Sequence, residues 1–340
     1  MTSRITFYNK AGQYLTEVNA TFKREYKLNE FGSGSFTLST GDEKCREDYL
    51  QFGNYVLVEH DKLPVWAGMI DTPRIWGHGS VTVTVYSAEY ILTGMVTDRT
   101  LNVSGSFGVI FQKMIEQMFN GNNFVADNII RVGQIYGGGP TVSRVYNWNG
   151  LYTEITKLCK DSGNDFELVP QIDANGRLYF DANWYEKRGM LKPFTLYEDA
   201  NIKLSNMPLR EQGRIATVCA VWGEGAKWST KPIGYRKSDE GIAKYGTRWL
   251  AMAAQGTDLE ANAASLILEH GTPRKTFDIT AIDTGDTYYQ MRVGDMFPVS
   301  FHSVGFSGSG LGTHETIRVL QMSYDEAQNA LKIVADQVKE

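Results

Sequence analysis

One short pattern is written twice in this chain, and it constrains the fold more than any other feature. Gln51-Phe52-Gly53-Asn54 leads into Tyr55-Val56-Leu57-Val58, and Arg292-Val293-Gly294-Asp295 leads into Met296-Phe297-Pro298-Val299. Each copy places an apolar residue, a glycine and an Asn or Asp before an apolar run, the chemistry of a turn that aims the chain into a strand. The correspondence continues downstream. Val65-Trp66-Ala67-Gly68-Met69-Ile70 parallels Glu315-Thr316-Ile317-Arg318-Val319-Leu320, and Val81 to Tyr86 parallels Leu331 to Ala335. One strand–strand–strand unit is therefore present twice. Two unrelated meanders built with the same few turn residues would also look alike, and both readings stay open at this level. A real duplication has a consequence: three copies of the chain would present six similar barrels, and closed cyclic symmetry is the ordinary way to join them.

The sequence around each copy supports strands. Residues 4–9, 15–24 and 34–39 alternate, Leu63 to Ile70 is a further apolar run, and Val81 to Tyr86 alternates cleanly. About six strands in 90 residues, joined by short connections, predict an antiparallel sandwich or barrel. Phe277 to Ile282, Met296 to Phe301, Ile317 to Met322 and Leu331 to Ala335 form the second strand-rich region.

Between them the period changes. Phe107, Ile110, Phe111, Met114, Ile115 and Met118 recur at helical spacing, predicting a helix over 107–119 capped by Ser104 or Ser106. A second helix is predicted over 151–161, with Asn149 as cap and Gly163 as stop. A hairpin follows, turning at Asp173-Ala174-Asn175-Gly176, where Asn-Gly would take the positive φ angles. Residues 224–247 read as a polar loop. A third helix is predicted over 259–269, between a cap at Asp258 and a stop at Gly271. The expected fold class is thus mainly β with an α+β insert. The expected division is a first barrel over 1–98, completed by a strand near 214–223 as the chain returns over 196–223. The insert covers 99–195, and a second barrel 224–340.

Charge and cysteine content exclude several functions. The net charge of −5 gives no overall reason to hold nucleic acid or an anionic membrane. Lys23–Arg24 and Arg236–Lys237 are short basic clusters of the kind found on solvated faces. Cys45, Cys159 and Cys219 form no C-x-x-C pair, and their odd number fits a reducing compartment better than a disulfide framework. No signal peptide and no apolar run of membrane-spanning length is present, so a soluble product of a cytosol is expected. The sequence runs to Glu340, just after the last strand, so any additional domain is expected on another protein.

Candidate chemistry is sparse. Ile279 to Ile282 lead into Asp283-Thr284-Gly285, the way an aspartic peptidase presents a carboxylate. Such enzymes share a proton between two carboxylates, so Asp283 would require a homodimer; a polar hairpin tip is the plainer reading. Gly137-Gly138-Gly139-Pro140 lacks the Lys-Ser/Thr of a phosphate loop. His60, His78, His270, His302 and His314 have no metal-ligand spacing. Trp66, Trp76, Trp148, Trp184, Trp222, Trp228 and Trp249 fit cores and subunit interfaces better than a stacking track, which would interleave basic residues. No catalytic, cofactor-binding or metal-ligating residue is assigned.

Taken in order, Phe31-Gly32-Ser33-Gly34-Ser35-Phe36-Thr37-Leu38, Tyr49-Leu50 into Gly53 and Val56–Val58, and Trp66-Ala67-Gly68-Met69-Ile70 resemble the opening of tail-hub proteins of long-tailed phages. The helix from Leu259 to Leu268 and the unit at Val293-Gly294-Asp295 resemble their C-terminal part. The resemblance implies a homotrimeric ring with two barrels per subunit, related to the hub of contractile baseplates and of type VI secretion spikes. Such a ring sits at the virion tail tip. It adapts a six-fold tail tube or distal tail protein to a three-fold central spike or fibre, meets the tape-measure protein, and surrounds a channel through which DNA passes without specific binding. The resemblance implies no enzyme and no cofactor. A homodimeric peptidase using Asp283 and a carbohydrate-binding tail-tip receptor are the alternative expectations.

Overall fold

The computed structural model describes residues 2–338 other than 72–73, 98–100, 118–128, 214, 224–230, 254–258, 283, 285–286 and 308–309. The first strand-rich region contains β1 (Ser3–Tyr8), β2 (Tyr14–Ala20), β3 (Phe22–Lys27), β4 (Ser33–Ser39), a one-turn helix α1 (Glu47–Leu50), β5 (Tyr55–His60), β6 (Leu63–Met69), β7 (Ile75–Gly77) and β8 (Ser80–Ser87). The pairing order is β3-β4-β8-β6-β5-β1-β2. Only Thr21 separates β2 from β3, so one bent stretch of chain supplies both ends of that order and closes a barrel. Alternation fills it. Val81, Val83 and Val85 point inward from β8 against Phe36 and Leu38 of β4 and Val56 and Val58 of β5, all buried.

The outer face of β1, β5 and β6 is apolar too. Tyr8, Tyr55, Leu57 and Ala67 join a second core with the inserted region. This region holds β9 (Leu101–Gly105), α2 (Phe107–Ile115), β10 (Ile130–Ile135), β11 (Val142–Tyr146), α3 (Leu151–Ser162), β12 (Asp165–Ile172) and β13 (Leu178–Tyr185). The helical period of Phe107, Ile110, Phe111, Met114 and Ile115 buries all five, and Ser106 caps α2 through the Val109 amide. Met118 and Phe119 lie outside the described residues. For α3 the N-cap is Gly150 rather than Asn149, whose amide reaches Glu154 instead, while Gly163 ends the helix at φ +71° as expected. In the β12–β13 turn only Gly176 takes a positive φ. Asn175 does not, because the Asp173 carboxylate accepts from the Asn175 and Arg177 amides and fixes the turn itself.

The second barrel comprises β14 (Leu196–Tyr197), β15 (Ile202–Gln212), β19 (Arg274–Ala281), the one-turn α6 (Thr287–Gln290), β20 (Met296–Ser307), β21 (Gly310–Asp325) and β22 (Ala330–Gln337). A small unit interrupts it: β16 (Val218–Trp222), β17 (Ile233–Lys237), α4 (Asp239–Tyr245), β18 (Trp249–Ala253) and α5 (Leu259–His270). Two expectations are overturned here. Residues 196–223 do not return to the first barrel. β14 pairs with β20, β15 pairs with β19, and β16 lies between β17 and β18 in a separate sheet. The strand at 218–222 is apolar because Cys219 and Val221 pack under α5 against Leu259 and Ala263, not because it enters a barrel. Residues 224–247 also hold a strand and a helix, capped by Ser238. The polar composition that read as loop is the exposed side of those elements. Asp258 lies outside the described residues.

The duplication extends further than the sequence showed. The order β3-β4-β8-β6-β5 is matched by β15-β19-β22-β21-β20, and a one-turn helix precedes β5 and β20 alike. Gly53 and Gly294 take φ +87° and +94°. The Gly53 amide donates to Ile70 O and the Ile70 amide to Asn54 O; the Gly294 amide donates to Val319 O and the Val319 amide to Asp295 O, all at 2.8–2.9 Å. This pattern corrects the alignment by one residue: Ile70 matches Val319, not Leu320. The second copy is longer at the turn that follows, residues 326–329 between β21 and β22 against 78–79 between β7 and β8. The match of Val81–Val85 with Leu331–Ala335 needs no shift, since Tyr86 pairs with Met69 as Asp336 does with Arg318.

Candidate assembly interface

The two barrels are joined by hydrogen-bonded sheet. After its bulge, β21 leaves β20 and pairs with β3, setting Gln321 opposite Lys27, Tyr324 opposite Arg24 and Asp325 opposite Lys23. The end of this ladder is polar and closed to water. Glu326 enters the first barrel, where its carboxylate accepts from the Ser3 amide (3.2 Å), the Phe22 amide (2.9 Å), the Ser3 hydroxyl and the Arg24 guanidinium. Arg24 is fully buried, also touches Ser3 Oγ, and lies 5.3 Å from the Phe22 ring centre. The expectation of a solvated Lys23–Arg24 face therefore holds for Lys23 alone. Period-two alternation places Arg24 on the same inward face as Phe22, a signal that its charge obscured. A buried charge of this kind is tolerated only because its partner and hydrogen bonds are present.

Further contacts tie the insert to the second barrel. Asp165 of β12 pairs with Arg318 of β21 and accepts from Asn29 and the Arg188 amide. Asp295 accepts from the Met190 and Arg292 amides and lies 3.2 Å from Lys192 Nζ.

Several strands are laddered on one side only, β7 and β15 among them. Among the described residues β7 pairs only with β8, and β15 only with β19. On β7, Ile75 and Trp76 are 65% and 61% exposed, and Arg74 sits over the Phe52 ring at 4.9 Å. Beside β15 a cleft of ≈ 300 Å³ is lined by Pro208, Leu209, Glu211, Val304, Gly305 and Phe306. Trp148, Trp249 and the paired Phe306 and Leu311 at the β20–β21 hairpin tip are exposed as well, whereas Trp66 and Trp184 are core residues.

The candidate chemistry is dispersed. Asp283 and Trp228 lie outside the described residues. Gly137–Gly139 form a connection between β10 and β11. Burial pushes the Cys159 and Cys219 thiols up, away from the thiolate form. Glu198, Asp199 and His302 come together, but the Glu198 carboxylate is taken by the His302 amide (2.8 Å), the Ser303 amide (3.0 Å) and the Ser303 hydroxyl. A cleft of ≈ 970 Å³ separates the second barrel from α4 and α5, and His314 and Glu315 face Glu240 and Lys244 across it. Among the described residues no helix is long and apolar enough to cross a membrane.

No family model and no curated protein matches the sequence. Solved structures do match in fold. Prophage tail protein gp18 from Listeria monocytogenes EGD-e is similar over 99% of this chain and 95% of its own, at 14% identity and a TM-score of 0.64. The 43 kDa tail protein of prophage MuSo2 from Shewanella oneidensis is similar over 99% and 98%, at 13% identity and 0.64. The tail protein from Neisseria meningitidis MC58 is similar over 99% and 97%, at 11% and 0.59. The chain thus has, from end to end, the mainly-β fold of these tail proteins.

Proposed function

We propose that this chain is a structural hub of a phage or phage-like tail tip, three copies of which close into a ring of six barrels. The observation that carries the proposal is the duplicated barrel. Five strands in the same order, with the same Gly-Asx turn bonded the same way, allow a three-fold assembly to present a nearly six-fold face. The end-to-end likeness to tail proteins supports the same reading. On it, the ring meets a six-fold tail tube or distal tail protein on one side and a three-fold spike or fibre on the other. The tape-measure protein and then DNA pass through its centre without specific contacts. The role is shape and assembly rather than catalysis.

Light scattering over a range of concentrations tests the stoichiometry. The expected mass is three times the 38.1 kDa of the chain. A dimer, or a monomer at every concentration, overturns the ring.

A further inference from the structure

We infer that the cleft between the second barrel and the α4–α5 unit is a binding site for a neutral oligosaccharide. The inference goes beyond a role in shape and assembly. It does not depend on the ring, because one copy of the chain supplies both walls.

The first wall is the outer face of the barrel. Leu196 of β14 and Val299 of β20 are buried in its core, so by alternation their neighbours along the strands point outward. Pairing then sets Tyr197, Ser300 and His314 in one row across β14, β20 and β21. Pro298 and Thr316 form the next row, two residues or roughly 7 Å along the strands. The second wall is helical. Glu240 and Lys244 stand four positions apart on α4 and share a face, and Ile267 and Leu268 of α5 lie beside them. The walls enclose ≈ 970 Å³, the upper end of the range for small-ligand sites, which favour the junctions between structural units.

The lining selects the ligand by its chemistry. Among the described residues the hydroxyls of Tyr197, Tyr245, Ser300 and Thr316 and the His314 imidazole make no hydrogen bond. A hydroxyl both donates and accepts, so the site matches a ligand whose own groups do both, as sugar hydroxyls do. The charges that face the cleft cancel. Glu240 and Lys244 are exposed and of opposite sign, while Glu315 is held by Lys275 and by Gln337, each at 2.7 Å. An ionic ligand therefore finds no net counter-charge. Tyr197 and Tyr245 add a ring on each wall, apolar surface with a polar tip for the C–H faces of a sugar.

A peptide matches less well. It would be held through main-chain hydrogen bonds along a strand edge, and β20 and β21 are laddered on both sides. The outer edge of β14 is taken by Asn201, which accepts from the Tyr197 amide at 2.8 Å and donates to Thr195 O at 3.1 Å. The Ala200 and Asn201 amides both reach Tyr197 O at 3.3 Å.

The full-length protein on an array of neutral and anionic oligosaccharides tests the site, since dense display compensates for weak single contacts. Titration calorimetry with the best-retained soluble oligosaccharide follows. Retention on neutral glycans is expected, with a dissociation constant below about 1 mM. Tyr197→Ala should weaken binding about 10-fold, and His314→Ala should weaken it too. Trp249→Ala, at an exposed aromatic outside the cleft, should leave it unchanged. All three variants should keep the circular dichroism and melting temperature of the parent. Retention on anionic glycans alone, or on none, overturns the inference. Neutral-glycan binding that both cleft variants leave intact overturns it as well, by moving the site elsewhere on the chain. Retention on a parallel array of random peptides, lost in Tyr197→Ala and without glycan binding, would assign the cleft to a peptide instead. None of these outcomes bears on the solution mass, so the ring is judged separately.

Discussion

The two barrels repeat a backbone but not its chemistry. In the first, Asn54 donates to the Asp48 and Tyr49 carbonyls and so ties the turn to the end of α1. In the second, Asp295 accepts amides from Arg292 and from Met190, a residue of the segment returning from the insert. The same frame uses a donor where its neighbour is a helix C-terminus and an acceptor where it is a chain of amides. The barrel ends differ likewise. Glu326 is buried in the first barrel, while His78 at the matching turn is exposed. A duplicated frame keeps its main-chain geometry because that geometry is what closes the barrel. Its polar side chains follow whatever each copy touches.

The largest effect should come from the buried ion pair at the joint between the barrels. Glu326→Ala leaves the Arg24 charge buried without its partner and should cost about 3–5 kcal/mol, read as a fall in the urea midpoint. The double variant Arg24→Met/Glu326→Leu should recover most of the loss. Failure to recover would mean that the ion pair, and not only its completion, holds the barrels together.

A smaller effect should separate the two turns. Both glycines have positive φ, so alanine costs about 1 kcal/mol at either. A Cβ on Gly53 meets nothing within 4 Å, whereas one on Gly294 meets Arg188 O at 2.8 Å. Gly294→Ala should therefore destabilise more than Gly53→Ala, by roughly 1–2 kcal/mol, in paired thermal melts. Equal losses would show that the returning segment yields freely.

The smallest effect concerns pH at the joint. Burial, helped by Arg24, holds His60 below its ordinary value of 6.5, against the pull of Glu326 and Asp61. The unfolded chain thus takes up a proton before the folded one does. Stability should be full above about pH 6.5 and decline as pH falls from there toward the lowered value. His60→Gln should flatten that part of the profile in urea titrations at stepped pH.

Much of this was legible from residue patterns. Alternation marked the strands of both barrels, the spacing from Phe107 to Ile115 marked α2, and Gly53-Asn54 with Gly294-Asp295 marked the repeat. The errors have physical causes. The apolar run at 218–222 carried no label saying which sheet it joins, because burial under a helix and burial in a barrel select the same residues. The alignment slipped by one because the turn between β21 and β22, residues 326–329, is longer than His78-Gly79 between β7 and β8, and an ungapped match carries that difference back into the strand. Arg24 and Glu326 were hidden because charge pairs buried across 302 positions of sequence leave no local pattern.

That separation matters while the chain is being made. At roughly 5–20 residues per second, a ribosome needs on the order of 15–60 s to travel from Arg24 to Glu326. For most of that time, once synthesis has passed Ser87 at the end of β8, the first barrel has all its strands and no counter-ion for its buried guanidinium. A product broken off before residue 326 would leave Arg24 buried without its carboxylate. The buried pair thus makes the stability of the first barrel conditional on the last turn of the chain.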